Sequence, residues 1–121
     1  MLYWLSDFPG LPGRLQKFRL ESGEPMPIFD THAHYDSGSF NADREEILSA
    51  LPAAGVGLVV NPGCDLETSR TAVALADRFP HVYAAVGVHP SDCAGWGDAE
   101  FEELEELSRH EKVVAIGEIG L

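Results

Sequence analysis

Four short apolar runs, separated by three amphipathic stretches, constrain the fold of this chain more than any other feature. The apolar runs cover residues 28–34, 57–61, 82–88 and 113–119. The stretches between them, at about 43–54, 65–79 and 98–108, carry apolar residues at helical spacing. A strand buried on both faces reads as a continuous apolar run. The alternation of such strands with helices predicts a parallel α/β fold.

Several residues mark where the predicted helices begin and end. Asp65 and Asp98 can accept hydrogen bonds from the first backbone N–H groups of a helix, and Asp43 followed by Glu46 resembles a capping box. Pro52 conflicts with the last turn of the first helix, because proline lacks the N–H donor. We therefore expect that turn to be kinked or broken.

Polar side chains gather where each predicted strand ends. They are His32, His34, Asn61, Cys64, His89 and Glu118. Two folds compete, an open doubly wound sheet and a (β/α)8 barrel. No glycine-rich phosphate fingerprint follows any strand, which weakens the dinucleotide-binding form of the first fold. Barrels place their chemistry at the carboxyl ends of the strands, so the sequence favours the barrel arrangement.

The segment 28–34 contains two histidines with one residue between them. In a strand, His32 and His34 would point to the same side, roughly 7 Å apart along the chain. Neutral imidazoles at this spacing can bind one metal ion. Asp30 would share that side, as a further ligand or as a carboxylate that orients a ligand. The alternative is a solvated turn that happens to contain two histidines.

Four motifs together resemble the TatD-type metal-dependent hydrolases, a family known for deoxyribonuclease activity among the amidohydrolase-like barrels. The motifs are Asp-Thr-His-Ala-His at 30–34, Asn-Pro-Gly-Cys-Asp at 61–65, Gly-Val-His-Pro at 87–90 and Ala-Ile-Gly-Glu-Ile-Gly-Leu at 115–121. They occur in the family's order, and the resemblance runs from about residue 28 to residue 121. Residues 1–26 fall outside it and are predicted to be an N-terminal extension.

The resemblance implies a set of site residues. His32 and His34 would bind one metal ion, and Glu118 would bridge two and act as the catalytic carboxylate. The expected cofactors are two divalent ions of zinc, manganese or magnesium. His89 would lie near the site as a group that contacts phosphate, or would simply cap a strand end. The family's site also takes two histidines and an aspartate from later strands. A closed barrel needs about 250 residues, so this chain corresponds to the N-terminal half of a TIM-type barrel and is expected to be nearly inactive alone.

The net charge and the cysteine content limit the binding partners and the cellular location that the sequence predicts. With 20 acids against 8 bases, the net charge is −12, which argues against a broad basic surface for nucleic acid. Bound metal ions would then supply the positive charge that an anionic substrate needs. Two cysteines do not make a disulfide framework, and we find neither a basic leader nor a membrane-length apolar run. The sequence therefore predicts a cytoplasmic protein that does not bind a membrane.

The predicted function is hydrolysis of phosphodiester bonds, with DNA or another phosphodiester as substrate. One alternative is a non-catalytic half-barrel that pairs with itself or with another protein through the open edges of its first and fourth strands. Another is an amidohydrolase that acts on a small cyclic amide.

Overall fold

The computed structural model describes residues 3–4 and 27–119, which contain five strands and three α-helices. The strands are β1 (Tyr3–Trp4), β2 (Ile28–Asp30), β3 (Val56–Pro62), β4 (Val82–Val86) and β5 (Val113–Ile116). The helices are α1 (Arg44–Ala50), α2 (Leu66–Arg78) and α3 (Asp98–Ser108). Single 3₁₀ turns span Gly38–Phe40 and Pro90–Asp92.

The strands form one sheet in the order β1-β5-β4-β3-β2. Strands β2 to β5 are parallel, and β1 pairs antiparallel with β5 through Tyr3 opposite Ile116 and Trp4 opposite Ala115. Within β2 to β5 the strand order follows the chain, whereas a doubly wound sheet reverses direction at a switch point. The predicted fold class, four parallel strands alternating with three helices as in half a barrel, is confirmed.

Strand β1 was not predicted, and its position corrects one expectation. The sequence predicted that the fourth parallel strand, here β5, would have an open edge. Strand β1 lies along that edge for two residues. Among the described strands, β2 lies at the other edge of the sheet.

Both faces of the parallel sheet are apolar, as the continuous runs predicted. On one face, α2 packs against the strands with the predicted stripe of Ala72, Leu75, Ala76 and Phe79, all of them buried. A separate buried cluster is formed by Val60, Ala85, Val114 and Ala115. Successive residues of a strand point to opposite faces. Val59 and Ala84 therefore belong to the cluster that contains the α2 stripe, whereas Val60 and Ala85 belong to the separate cluster.

The helix ends agree with the sequence in two places and differ in two. The Asp65 carboxylate accepts from the backbone N–H of Thr68 at 2.7 Å, which caps α2 as predicted. Helix α1 ends at Ala50, before Pro52. Within the described chain Asp43 makes no side-chain capping bond, so the predicted capping box is wrong. Helix α3 includes Asp98, and its cap is Gly97, whose N–H donates to the Glu100 carboxylate at 2.9 Å.

Three of the predicted strands are shorter than expected, and the first of these corrections affects the site. Strand β2 ends at Asp30, so His32 and His34 follow a strand rather than lie within it. The Asp30 carboxylate accepts from the backbone N–H of His32 at 3.2 Å, and this bond bends the chain where the ladder stops. The Ala33 N–H still donates to Val60 O at 3.1 Å, which keeps the segment beside β3. Strands β4 and β5 end at Val86 and Ile116, so Glu118 also lies past its strand.

Candidate metal centre

Three side chains that can bind a metal ion meet at the carboxyl ends of β2 and β5. They are His32, His34 and Glu118, and one ligand atom from each lies within 4.8 Å of the others. The two Nε2 atoms of the histidines are 3.1 Å apart. His32 Nε2 is 3.1 Å from Glu118 Oε1, and His34 Nε2 is 4.0 Å from Glu118 Oε2. The structure thus brings together the three residues predicted as ligands.

The donor set fits a divalent transition metal. Imidazole nitrogens and a carboxylate oxygen are the ligands that zinc accepts, each at about 2.1 Å. Two ligands at that distance from one tetrahedral ion lie about 3.4 Å from each other by simple geometry. The separation of 3.1 Å between the histidine nitrogens is close to this value, so the two rings need to move little to share an ion.

Glu118 reaches the histidines because its backbone crosses the end of β4. Gly117 N–H donates to Val86 O at 3.0 Å, and Glu118 N–H donates to Gly63 O, after β3, at 2.9 Å. The crossing passes over Gly87, where a Cβ atom would lie 2.5 Å from Gly117 O. Only a glycine at position 87 permits the backbone of Gly117 to come this close. The crossing carries Glu118 from β5 toward the far side of the sheet.

Cys64 contacts the carboxylate of Glu118. Its thiol donates to Oε2 at 3.1 Å. This hydrogen bond is the main cause that lowers the pKa of Glu118, and the nearby His32 and His34 lower it further. Burial, followed by the bond to Glu118, raises the pKa of Cys64 to about 12. The pair therefore consists of a protonated thiol and an ionised carboxylate. The sequence indicated that Cys64 lies near a strand end, but it did not predict the contact with Glu118.

The segment that carries the histidines is held by two polar residues of neighbouring elements. Asn61, fully buried at the end of β3, accepts the N–H of Tyr35 at 2.7 Å and that of Asp36 at 3.3 Å through Oδ1. Arg44 of α1 donates to the carbonyl oxygens of Tyr35, Asp36 and Ser37. Neither role was predicted, because the Asn61 contacts join residues 25 and 26 positions apart and the Arg44 contacts depend on how α1 packs against the segment.

Asp30 and His89 lie outside the group of three. Asp30 contacts the backbone of His32, as described above, rather than a ring nitrogen. His89 Nδ1 lies 2.6 Å from Ser91 Oγ and accepts the Ser91 N–H at 3.2 Å, so this histidine caps the turn Pro90–Asp92. Its backbone N–H donates to Cys64 O at 2.8 Å, which places His89 at the same rim.

Comparison with known proteins gives a consistent result. The family model described as TatD related DNase matches residues 29–121. The chain is 39% identical over 94 residues to a protein of Bacillus subtilis named as an uncharacterized metal-dependent hydrolase, YabD. It is equally identical, over 94 residues, to the 3'-5' ssDNA/RNA exonuclease TatD of Escherichia fergusonii. Each alignment covers 78% of this chain, and respectively 37% and 36% of the relative.

A solved structure extends the likeness to three dimensions. The crystal structure of YjjV, a TatD homologue from Escherichia coli K12, superimposes with a TM-score of 0.68 at 38% identity. The match covers 78% of this chain and 37% of that one. The chain thus spans little more than a third of the length of the relatives it matches. None of the helices in the described ranges has the length and apolar character needed to cross a membrane.

Proposed function

The chain belongs to the family of TatD-related DNases, and we propose that it supplies the N-terminal half of a divalent-metal-dependent hydrolase that cleaves phosphodiester bonds in DNA. The observation that carries this proposal is the meeting of His32, His34 and Glu118 at the carboxyl edge of the sheet. A relative named as a 3'-5' single-stranded DNA and RNA exonuclease supports this substrate class, with cleavage from an end of the strand.

In this proposal His32 and His34 would hold one metal ion, and Glu118 would be a ligand that this ion shares with a second. Glu118 has two oxygens to share: Oε1 faces His32, and Oε2 faces both Cys64 and His34. The expected ions are zinc, manganese or magnesium. When bound, paired divalent ions activate a water molecule and stabilise the leaving oxygen of the phosphodiester. The hydrogen bond from the Cys64 thiol lowers the pKa of Glu118 and so favours its ionised form.

His89 and Asp30 have supporting roles in this proposal. Because Ser91 occupies Nδ1 of His89, Nε2 is the ring nitrogen left to face a substrate phosphate. Asp30 keeps the chain bent at His32 and so supports the position of the ring. Bound metal ions would supply positive charge on a protein of net charge −12.

We propose that the remaining ligands come from parts of the barrel beyond these 121 residues, because the aligned residues cover only 37% and 36% of the matched relatives. The 121-residue chain alone should then have at most trace nuclease activity. We retain the division into an extension, 1–26, and the half-barrel, 27–121. We also propose a cytoplasmic location, since Cys64 and Cys93 are free thiols.

A chimera tests the catalytic proposal. Residues 28–121 would be continued by the remaining part of the Escherichia coli relative YjjV, and release of nucleotides from labelled single-stranded DNA would be measured with Mg²⁺, Mn²⁺ or Zn²⁺. We expect activity that EDTA abolishes. Glu118→Gln keeps the shape of the side chain and removes its charge, so turnover should fall by at least about 10²-fold, because each metal-held charge is worth several kcal/mol.

A matched control variant and a second substrate define which results would contradict the proposal. Glu105→Gln removes a charge from an exposed pair with Arg109 on α3 and should leave turnover unchanged. Full activity of the Glu118→Gln chimera would exclude the bridging role. Hydrolysis of a cyclic amide but not of DNA would favour an amidohydrolase. A folded chimera that hydrolyses neither substrate would favour a non-catalytic half-barrel.

A further inference from the structure

The two ring nitrogens of His34 lie against different groups. Nε2 is 3.1 Å from Nε2 of His32, inside the candidate metal centre. Nδ1 is 3.7 Å from Oδ1 of Asp36, two residues further along the chain. This separation is longer than a hydrogen bond, but a carboxylate there favours an N–H over a lone pair on Nδ1.

Asp36 is itself held in place by the buried end of β3. Its side chain is only 10% exposed, and its Oδ1 accepts a hydrogen bond from Asn61 Nδ2 at 2.9 Å. The orientation of the Asn61 amide is unambiguous, since Oδ1 accepts two backbone N–H groups and Nδ2 must therefore face Asp36. Arg44 adds bonds to the carbonyl oxygens of the same segment.

We propose that Asp36 is a positioning residue, which acts through His34 and is itself set by Asn61. A neutral imidazole carries one N–H. With that N–H on Nδ1 beside Asp36, the lone pair is on Nε2, where it points into the metal centre. Carboxylates that orient metal-binding histidines in this way change metal affinity by about 10–100-fold. The inference rests on the proposed function to the extent that His34 binds the metal.

In this proposal Asp36 has the ring-orienting role that the sequence considered for Asp30. Both aspartates flank the histidine pair, but Asp30 contacts a backbone N–H and Asp36 faces a ring nitrogen. The difference arises because β2 ends at Asp30, after which the strand alternation that placed Asp30 beside the histidines no longer applies.

The variant Asp36→Asn tests the proposal in the 121-residue chain. It keeps an oxygen that can accept from Asn61 Nδ2 and removes the charge beside His34. We expect the dissociation constant for Zn²⁺, measured by NMR titration of ¹⁵N-labelled histidines, to rise by about 10–100-fold. The melting temperature of the metal-free chain should not change. Asp43→Asn is the matched control, because Asp43 makes no side-chain capping bond in the described chain.

Two further measurements separate positioning from a structural effect. Long-range ¹H–¹⁵N spectra of the metal-free chain should show the N–H of His34 on Nδ1, and a mixture of tautomers in Asp36→Asn. Asp36→Glu keeps the charge and should bind Zn²⁺ more tightly than Asp36→Asn.

The outcomes are distinct. Equal Zn²⁺ affinity of Asp36→Asn and the parent chain, or a His34 N–H on Nε2 in the parent chain, would overturn the role of Asp36 and leave the proposed function standing. If the parent chain showed no Zn²⁺ binding at His32 and His34, the metal site of the proposed function would fall, and this inference with it.

Discussion

The two segments that supply the candidate ligands are held in place by different kinds of contact. The histidine segment, residues 31–37, follows the edge strand β2 and is fixed by side chains, chiefly Asn61 and Arg44. The glutamate segment, residues 117–118, follows β5 and is fixed by backbone bonds to Val86 and Gly63. The histidine segment therefore depends on the side chains at positions 44 and 61, and the glutamate segment depends on the absence of a side chain at Gly87.

The position of each strand in the sheet explains this difference. Strand β2 has three residues and pairs with β3 along one side, so few ladder bonds are available to hold the residues after it. The side chains of His32 and His34 remain 41% and 38% exposed. Strand β5 pairs with β4 and β1, and the chain leaving it crosses a buried part of the sheet. Ligands at an edge therefore need polar side chains to fix them.

The largest expected effect comes from removing the histidines themselves. We predict that His32→Ala together with His34→Ala abolishes the binding of Zn²⁺ or Mn²⁺ to the 121-residue chain. Because both rings are partly exposed, thermal stability should change little. Titration calorimetry measures the binding, and His110→Ala, at a surface pair with Asp77, is the control. Unchanged binding by the double variant would place the metal elsewhere.

A smaller effect is expected from Gly87→Ala, which tests the glutamate segment. The added Cβ would lie 2.5 Å from Gly117 O, so the crossing backbone must shift, at a cost of about 1–3 kcal/mol of unfolding free energy. The shift should also weaken metal binding by moving Glu118. Urea denaturation measures the unfolding free energy, and metal titration measures the affinity for the ion. At Gly38 the atom nearest to an added Cβ would be 3.8 Å away, so Gly38→Ala should change neither the unfolding free energy nor the metal affinity. Equal results for the two variants would contradict the backbone crossing over Gly87.

The smallest effect concerns the two edges of the sheet. Strand β1 lies along β5, whereas Ile28 of the opposite edge strand, β2, is 61% exposed. We propose that the chain associates with itself through this β2 edge. Ile28→Lys should weaken association by on the order of 1 kcal/mol per copy, as measured by light scattering after size exclusion. Phe101→Lys, on the exposed side of α3, is the control. A parent chain that stays monomeric at high concentration would contradict the proposal.

Much of the fold could be predicted because its signals are local. The buried stripe of α2 follows from helical spacing, and the Asp65 cap follows from residue type at a helix start. The predicted Asp43 cap was wrong, since the side chain makes no capping bond in the described chain. The predicted strand through His34 was wrong because strand length depends on pairing with β3. The ladder beside β2 stops at Asp30, whose carboxylate instead binds the next backbone N–H.

The amino-acid sequence by itself determined the order of the four parallel strands and three helices, and the identity of the polar residues at the strand ends. Periodicity and residue type are properties of short segments, and they can be identified without knowledge of the rest of the chain. Only the tertiary structure decided that Glu118 reaches the histidines across Gly87, and that Asp36 rather than Asp30 faces a ring nitrogen. These outcomes depend on strand order and on the close approach of backbone segments about thirty residues apart, which no local pattern encodes.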